Sequence, residues 1–284
     1  MKFIIAIIVF ALISTSKVSA FVSGPSAVNP GENALIAGTQ IERGKVEPNE
    51  NRLSYQDAKI DIYKIKYVRG LENILGFSHA SVFLEYGQFA SAEEKVAATL
   101  FYKNDKGSYA TIGFSADVLH EIDRQFGFYI QLYPLRDYNK KKFSNPRLDL
   151  FAFGLTSAFN ITDNFFQKNL IHRGSGDGAD QNSYLAVDSG LGYRLNRYLE
   201  IPVTLAGSLF IEVDTSQRKD AAYDASFTPG GGEDRISAFK YGTVMGADIS
   251  LSKNLSLNFN YLRKLGGYDA RSTEIYTFNL GIKF

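Results

Sequence analysis

Glu274-Ile-Tyr-Thr-Phe-Asn-Leu-Gly-Ile-Lys-Phe284 ends the chain, and its alternation decides the fold. Tyr276, Phe278, Leu280, Ile282 and Phe284 are apolar, while Thr277, Asn279, Gly281 and Lys283 between them are polar or small. Successive side chains of a strand point to opposite faces, so the two sets separate onto two faces. In a soluble sheet the apolar face would meet a second sheet. Here the last apolar position is also the chain's carboxyl terminus.

The same period recurs upstream. Leu255, Leu257, Phe259 and Tyr261 alternate with Ser256, Asn258 and Asn260. Phe239, Tyr241, Met245, Ala247 and Ile249 alternate with Lys240, Gly242, Gly246, Asp248 and Ser250. Leu205, Leu209, Ile211 and Val213 alternate with Thr204, Ser208 and Glu212, and Phe126, Phe128, Ile130 and Leu132 with Gly127, Tyr129, Gln131 and Tyr133. The polar set is glycine-rich and charged. An isolated charge in a dry core costs several kcal/mol unless paired, so this set suits an enclosed wet space better than a second hydrophobic layer.

Composition agrees. The 284 residues are 45% hydrophobic and 21% charged, too polar for a helical membrane bundle, and they include 25 Gly, 17 Tyr, 22 Phe and no Trp. Lys+Arg of 31 against Asp+Glu of 30 leaves net +1, which provides no basic footprint for nucleic acid. The absence of Cys excludes disulfides, thiolate metal sites, cysteine catalysis and a lipidated N-terminal cysteine. No cofactor or metal is expected.

The N-terminus reads as an export signal. Lys2 precedes the apolar run Phe3–Ile13, and Val18-Ser19-Ala20 supplies the small residues of a cleavage point. The run is about half of the roughly 20 residues a membrane helix needs. Cleavage after Ala20 removes Lys2 and Lys17 and takes the net charge from +1 to −1.

A signal peptide, no cysteine and a final strand ending on Phe284 together resemble the bacterial outer-membrane β-barrels, porin-like, over residues 53–284. The resemblance implies that Tyr276, Phe278, Leu280, Ile282 and Phe284 form the insertion signal recognised by the barrel-assembly machinery. It also implies periplasmic chaperones, outer-membrane lipid and lipopolysaccharide as partners, and the bacterial outer membrane as location. The lack of Trp departs from the usual aromatic girdles, so Tyr and Phe must serve there.

The expected fold is all-β: a transmembrane antiparallel up-and-down barrel of about 12 strands, an even number as single-chain bacterial barrels have. The segments are 55–69, 78–89, 95–103, 108–119, 126–137, 147–159, 164–172, 183–195, 199–213, 236–251, 255–265 and 271–284. Residues 1–20 form the signal peptide, 21–52 a periplasmic leader or partial plug, and 53–284 the barrel. Within the leader, Ala34–Glu42 is read as either a short extra strand or a plug folded into the lumen, with a flexible leader preferred. Short connections at Ala90–Glu94, His120–Gln125, Ile161–Asp163, Asn196–Tyr198 and Ser252–Asn254 are assigned to the periplasmic side with both termini. Gly70–Phe77, Asn104–Gly107, Tyr138–Pro146, Arg173–Asn182, Asp214–Arg235 and Gly266–Ala270 are assigned outside. Leu205 and Ile249 are expected near the middle of the lipid-facing band.

The polar phase nominates Lys64, Lys66, Glu85, Asp117, Tyr129, Asp188, Arg194, Glu200, Glu212, Lys240, Asp248 and Lys264 as lumen-lining. Such rows either conduct small hydrophilic solutes or close a narrow lumen through interstrand ion pairs. Mixed signs predict no strong ion selectivity. The reading is therefore a narrow passive channel, with a structural or surface-recognition barrel as its alternative. A hydrolase needs His beside Ser or Asp. Only His172, near Ser175 and Asp177, approaches that, without the His-x-Ser spacing of outer-membrane phospholipases, so no enzyme is expected. The Gly174–Asn182 loop lacks EF-hand spacing, and Pro229-Gly-Gly-Gly232 lacks a phosphate-loop context.

Overall fold

The computed structural model describes residues 28–46, 55–96, 102–121, 123–137, 151–175, 184–195, 201–214, 239–268 and 272–284. The expected signal peptide, residues 1–20, and most of the segments assigned outside lie beyond these residues.

Twelve strands follow in chain order. They are β1 (Asn33–Val46), β2 (Tyr55–Leu71), β3 (His79–Val96), β4 (Tyr102–His120), β5 (Arg124–Asp137) and β6 (Phe151–Asn160), then β7 (Phe165–Ser175), β8 (Tyr184–Arg194), β9 (Val203–Asp214), β10 (Phe239–Ser250), β11 (Leu255–Tyr268) and β12 (Ser272–Lys283). Each pairs antiparallel with its sequence neighbour, and β12 returns to β1, closing the barrel. Closure leaves no sheet edge, the condition for β-structure in hydrocarbon.

The seam runs from Ala34↔Lys283 to Lys45↔Ser272. Its terminal lock is reciprocal: Asn33 N–H donates to Phe284 O at 3.0 Å, and Phe284 N–H donates to Asn33 O at 3.0 Å. Phe284 thus stitches the last strand to the first.

The barrel begins at Asn33, not at residue 53, and this corrects the leader assignment. Residues 33–46 form β1, so the strand option held for Ala34–Glu42 is the one realised. The stretch is hard to recognise because Ala34, Leu35, Ile36 and Ala37 blur the two phases. What fixes it is the need of β12 and β2 for a partner. Val28, just before β1, is buried against Ala34, Val68 and Phe83, with its N–H 3.4 Å from Ser81 Oγ.

A second correction falls on β3 and β4. The expected strand 95–103 does not exist as a unit: residues 95–96 end β3, and 102–103 start β4. Ala90–Glu94 and Asn104–Gly107, read as turns from their charge, are paired ladder from Ala90↔Lys106 to Glu94↔Tyr102. With 18 and 19 residues, these strands are longer than the roughly 9–11 that a tilted membrane strand needs. Missing β1 and gaining a false strand here offset each other in the count.

Moving the first strand also reassigns Gly70–Phe77. The segment joins β2 to β3 at the end where β1 begins and β12 finishes, together with the connections at 121–123, 161–164, 195–202 and 251–254. Tight turns close two of these: Ile161 N–H donates to Phe165 O at 2.8 Å, and Leu251 N–H to Leu255 O at 2.9 Å.

The two phases separate as elementary pleating requires. Tyr63 (63% exposed), Ile65, Leu84, Leu209 (65% exposed) and Met245 lie on the outer face, while Ile62, Val68, Phe83 and Phe89 on the other phase are buried. Phe259 and Phe278, directly paired, stack outward with ring centroids 4.9 Å apart.

Candidate functional site: the barrel lumen

The lumen is built asymmetrically. On β2–β7 it is lined by bulk: Ile60, Ile62, Phe89 and Tyr109 form one buried cluster, and Tyr129 and Leu170 another. Phe166 is also fully buried there. Glycines make room for these rings. A Cβ at Gly154 would sit 2.1 Å from Tyr129 Cε1, so only glycine lets that ring lie flat across β6.

Polar groups thread this packed half. Tyr109 O–H donates to Glu85 Oε1 at 2.9 Å, and the Lys66 ammonium sits 4.2 Å above the Phe83 ring. Tyr129 Oη is hydrogen-bonded to His172 Nδ1. Near the terminus end, Arg194 Nη1 donates to Asn160 Oδ1 at 2.7 Å and to Asp163 O at 2.9 Å, with its guanidinium 4.9 Å from the Phe166 ring. At that same end His79 and His120 stack with centroids 3.5 Å apart, and His120 Nδ1 is hydrogen-bonded to Asp117 Oδ2 at 2.6 Å.

The wall from β9 through β12 to β1 has a different lining. Its inward phase carries Thr204, Ala206, Ser208, Gly246, Asp248, Asn258, Asn260, Thr277, Asn279, Gly38 and Gln40, small or amide-bearing residues that are neither fully buried nor fully exposed. Ile36, Phe210, Val244, Leu262 and Ile275 are the apolar side chains on the same inner phase.

Most of the nominated positions fall on the inner phase. Lys64, Lys66, Glu85, Asp117 and Tyr129 lie along the packed half, and Asp188, Arg194, Glu212, Asp248 and Lys264 on β8–β11. Lys240 occupies the register position opposite Glu212. Glu200 lies outside the described residues, and β9 starts only at Val203, so the expected strand 199–213 is shorter at its front. The nomination missed Lys168, Asn258, Asn260 and Asn279. Lys168 sits in Phe165–Ser175, whose inward phase (Phe166, Lys168, Leu170) is as apolar as its outward one, so no clean alternation marks it. The three asparagines were visible in the pattern as polar spacers, and only their convergence was not.

The hydrolase option turns on His172, Ser175 and Asp177. His172 is engaged with Tyr129 inside the barrel. Ser175 ends β7, and Asp177 lies outside the described residues.

A closed, sequentially wound antiparallel barrel with an apolar exterior and a polar interior wall defines the fold as that of the outer-membrane barrels. Solved structures agree on the fold. An outer membrane channel from Pseudomonas putida F1 is similar over 94% of this chain and 100% of that one, with TM-score 0.61 and 11% identity. The beta domain of the Bordetella autotransporter BrkA is similar over 89% and 98%, with TM-score 0.55 and 15% identity. No protein-family model and no curated protein matches.

Proposed function

We propose that the chain is an exported outer-membrane barrel forming a narrow passive channel for small hydrophilic solutes, which run along the β9–β12–β1 wall. The observation that carries this reading is the asymmetric lining: one half of the lumen is filled by Tyr109, Tyr129, Phe83 and Phe166, and the other presents hydroxyls, amides and glycines. A lumen meant only to be filled has no use for a polar wall beside a packed one. The similarity to an outer membrane channel supports the reading at the level of fold.

Planar-bilayer recording of the refolded chain tests it. Small, stable conductance steps are expected, well below those of wide porins, because the packed half narrows the path. Complete electrical silence would overturn the channel. It would favour the second reading, a structural or surface-recognition barrel, which draws on the buried Ile60–Tyr109 cluster and on Val28 seated at the mouth.

The outer membrane is the proposed location, reached by cleavage after Ala20 and periplasmic chaperone escort. Tyr276, Phe278, Leu280, Ile282 and Phe284 serve as the signal to the barrel-assembly machinery, and lipopolysaccharide surrounds the outer leaflet. Deleting Phe284 removes the signal's last aromatic and its two backbone bonds to Asn33. Outer-membrane levels measured by fractionation should fall severalfold; wild-type levels would count against the signal.

A further inference from the structure

The connection between β2 and β3, residues 72–78, folds outward. Ser81 and Phe83 lie on the inner phase of β3, buried beside Val28. Pleating counted back from them puts His79 and Phe77 on the same phase. His79 follows, stacked on His120. Phe77 does not: its ring meets Phe128 of β5 edge-on, with centroids 5.7 Å apart. Phe128 is on the outer phase, packed with Phe114 and Phe153. To reach it from the start of β3, the Phe77 ring must cross the outer face of β4. Ala80, Ala116 and Phe128 form one row of the ladder there. Ala80 and Ala116 are only 2% and 3% exposed, whereas Val82 and Leu84 on the same face of β3 are open. Phe77 therefore lies over that row and holds the connection against the barrel's exterior.

The tip of the connection is apolar and strained. Phe77 N–H donates to Ile74 O at 2.9 Å, closing a turn over Leu75 and Gly76. Both central residues are left-handed, Leu75 at φ 54° and Gly76 at φ 83°. Such mirror-image hairpin turns prefer Asn or Asp first and Gly second. A bulky side chain in the first place is an outlier, and it persists only where its surroundings fix it. Leu75 is nonetheless 86% exposed, with Ile74 partly exposed beside it. The tight turns Ile161-Thr-Asp-Asn164 and Leu251-Ser-Lys-Asn254 at the same end have polar centres, and Ile74-Leu-Gly-Phe77 has none. Facing water, the turn would lose strain and expose less apolar surface with Asn in place of Leu75. Facing hydrocarbon the order reverses, because Leu75 gains apolar contact and an amide would be left without a partner.

We infer that the β2–β3 turn is a membrane anchor: Ile74 and Leu75 insert among the acyl chains of the lipid leaflet at the end where β1 begins. The turn continues an apolar exterior that reaches the same rim at Leu119 and Phe284, both exposed. It adds hydrocarbon contact outside the ring of strands and fixes the depth of that rim in the leaflet. The inference rests on the reading of the chain as a membrane barrel and extends it from the strands to a connection.

The chain has no cysteine, so Leu75→Cys in the mature full-length barrel carries a polarity-sensitive fluorophore at one place. Phe278→Cys on the lipid-facing phase and Lys253→Cys in a polar turn at the same end are the two references. Each variant is refolded into phosphatidylcholine vesicles, and folding is checked by the heat-modifiable gel shift. The label is then quenched separately by nitroxide-bearing phosphatidylcholine and by iodide present on both sides of the membrane. At Leu75 the lipid nitroxide is expected to quench severalfold more than at Lys253, and iodide severalfold less. The same label at Ile74 should behave alike and covers the case in which Leu75→Cys does not fold. Iodide quenching at Leu75 equal to that at Lys253 would put the turn in water and overturn the anchor. Protection from both quenchers would put it against protein and overturn the anchor too. Lipid quenching at Phe278 without any at Leu75 overturns the anchor alone, whereas its absence at Phe278 as well overturns the membrane reading beneath it.

Discussion

A mature chain that starts at residue 53 is expected to form no barrel at all. The cut removes β1 and leaves β12 and β2 with unpaired edges, along Lys283–Ser272 on one side and Arg69–Gln56 on the other. In hydrocarbon each unsatisfied backbone group costs several kcal/mol, and no water is present to satisfy it. Closing an eleven-strand barrel instead would force β2 against β12 in a register that neither sequence encodes. The readout is the heat-modifiable gel shift of the refolded protein: the truncated chain should show only the unfolded band. A chain starting at residue 28 keeps Val28 and all of β1 and should fold. If the chain starting at 53 ran as a folded barrel, β1 would be an accessory strand and the closure described here would be wrong.

Leu209→Arg should destabilise the barrel by about 2–4 kcal/mol, the cost of a cation at the bilayer midplane. Leu209 is 65% exposed on the outer phase, midway along β9. Depth makes the prediction sharper. Leu205 is the third residue of β9 and Ile249 the last but one of β10, so both lie toward the end that carries the termini, not at the middle as their sequence pattern alone suggested. Arginine at Ile249 should therefore cost about 0–1 kcal/mol. Thr204→Ala, on the inner phase, should change stability by well under about 1 kcal/mol. Urea titration of the refolded barrel in lipid vesicles measures all three. Equal losses at Leu209 and Ile249 would contradict the depth assignment, and equal losses at Leu209 and Thr204 would contradict the phase.

The alternation of β8–β12 and of β5 was legible because the two faces of each of these strands differ in polarity, and a period of two records that directly. Phe259 and Phe278 needed no structure to be placed on one face. The signal carried by β1 and β7 was weak for the opposite reason. Ala34–Ala37 is apolar on both phases, and β7 carries Gln167 and Asn169 on its outward phase, where they bond to each other and to Ser157 and Ser189. Polar groups satisfied by their neighbours no longer report which side faces water.

The sequence by itself determined that the chain is β throughout, which residues share a face, and that the faces differ in polarity, since all three follow from pleating and local residue chemistry. Tertiary structure alone decided which strand closes the ring, that the large buried rings gather on β2–β7, and that Asp248, Asn258 and Asn279 line up across β10–β12. Those outcomes depend on the register between strands far apart in the chain. Register is set by barrel closure and by the volumes of rings such as Tyr129 and Phe166 lying over Gly154 and Gly192, which no local pattern contains.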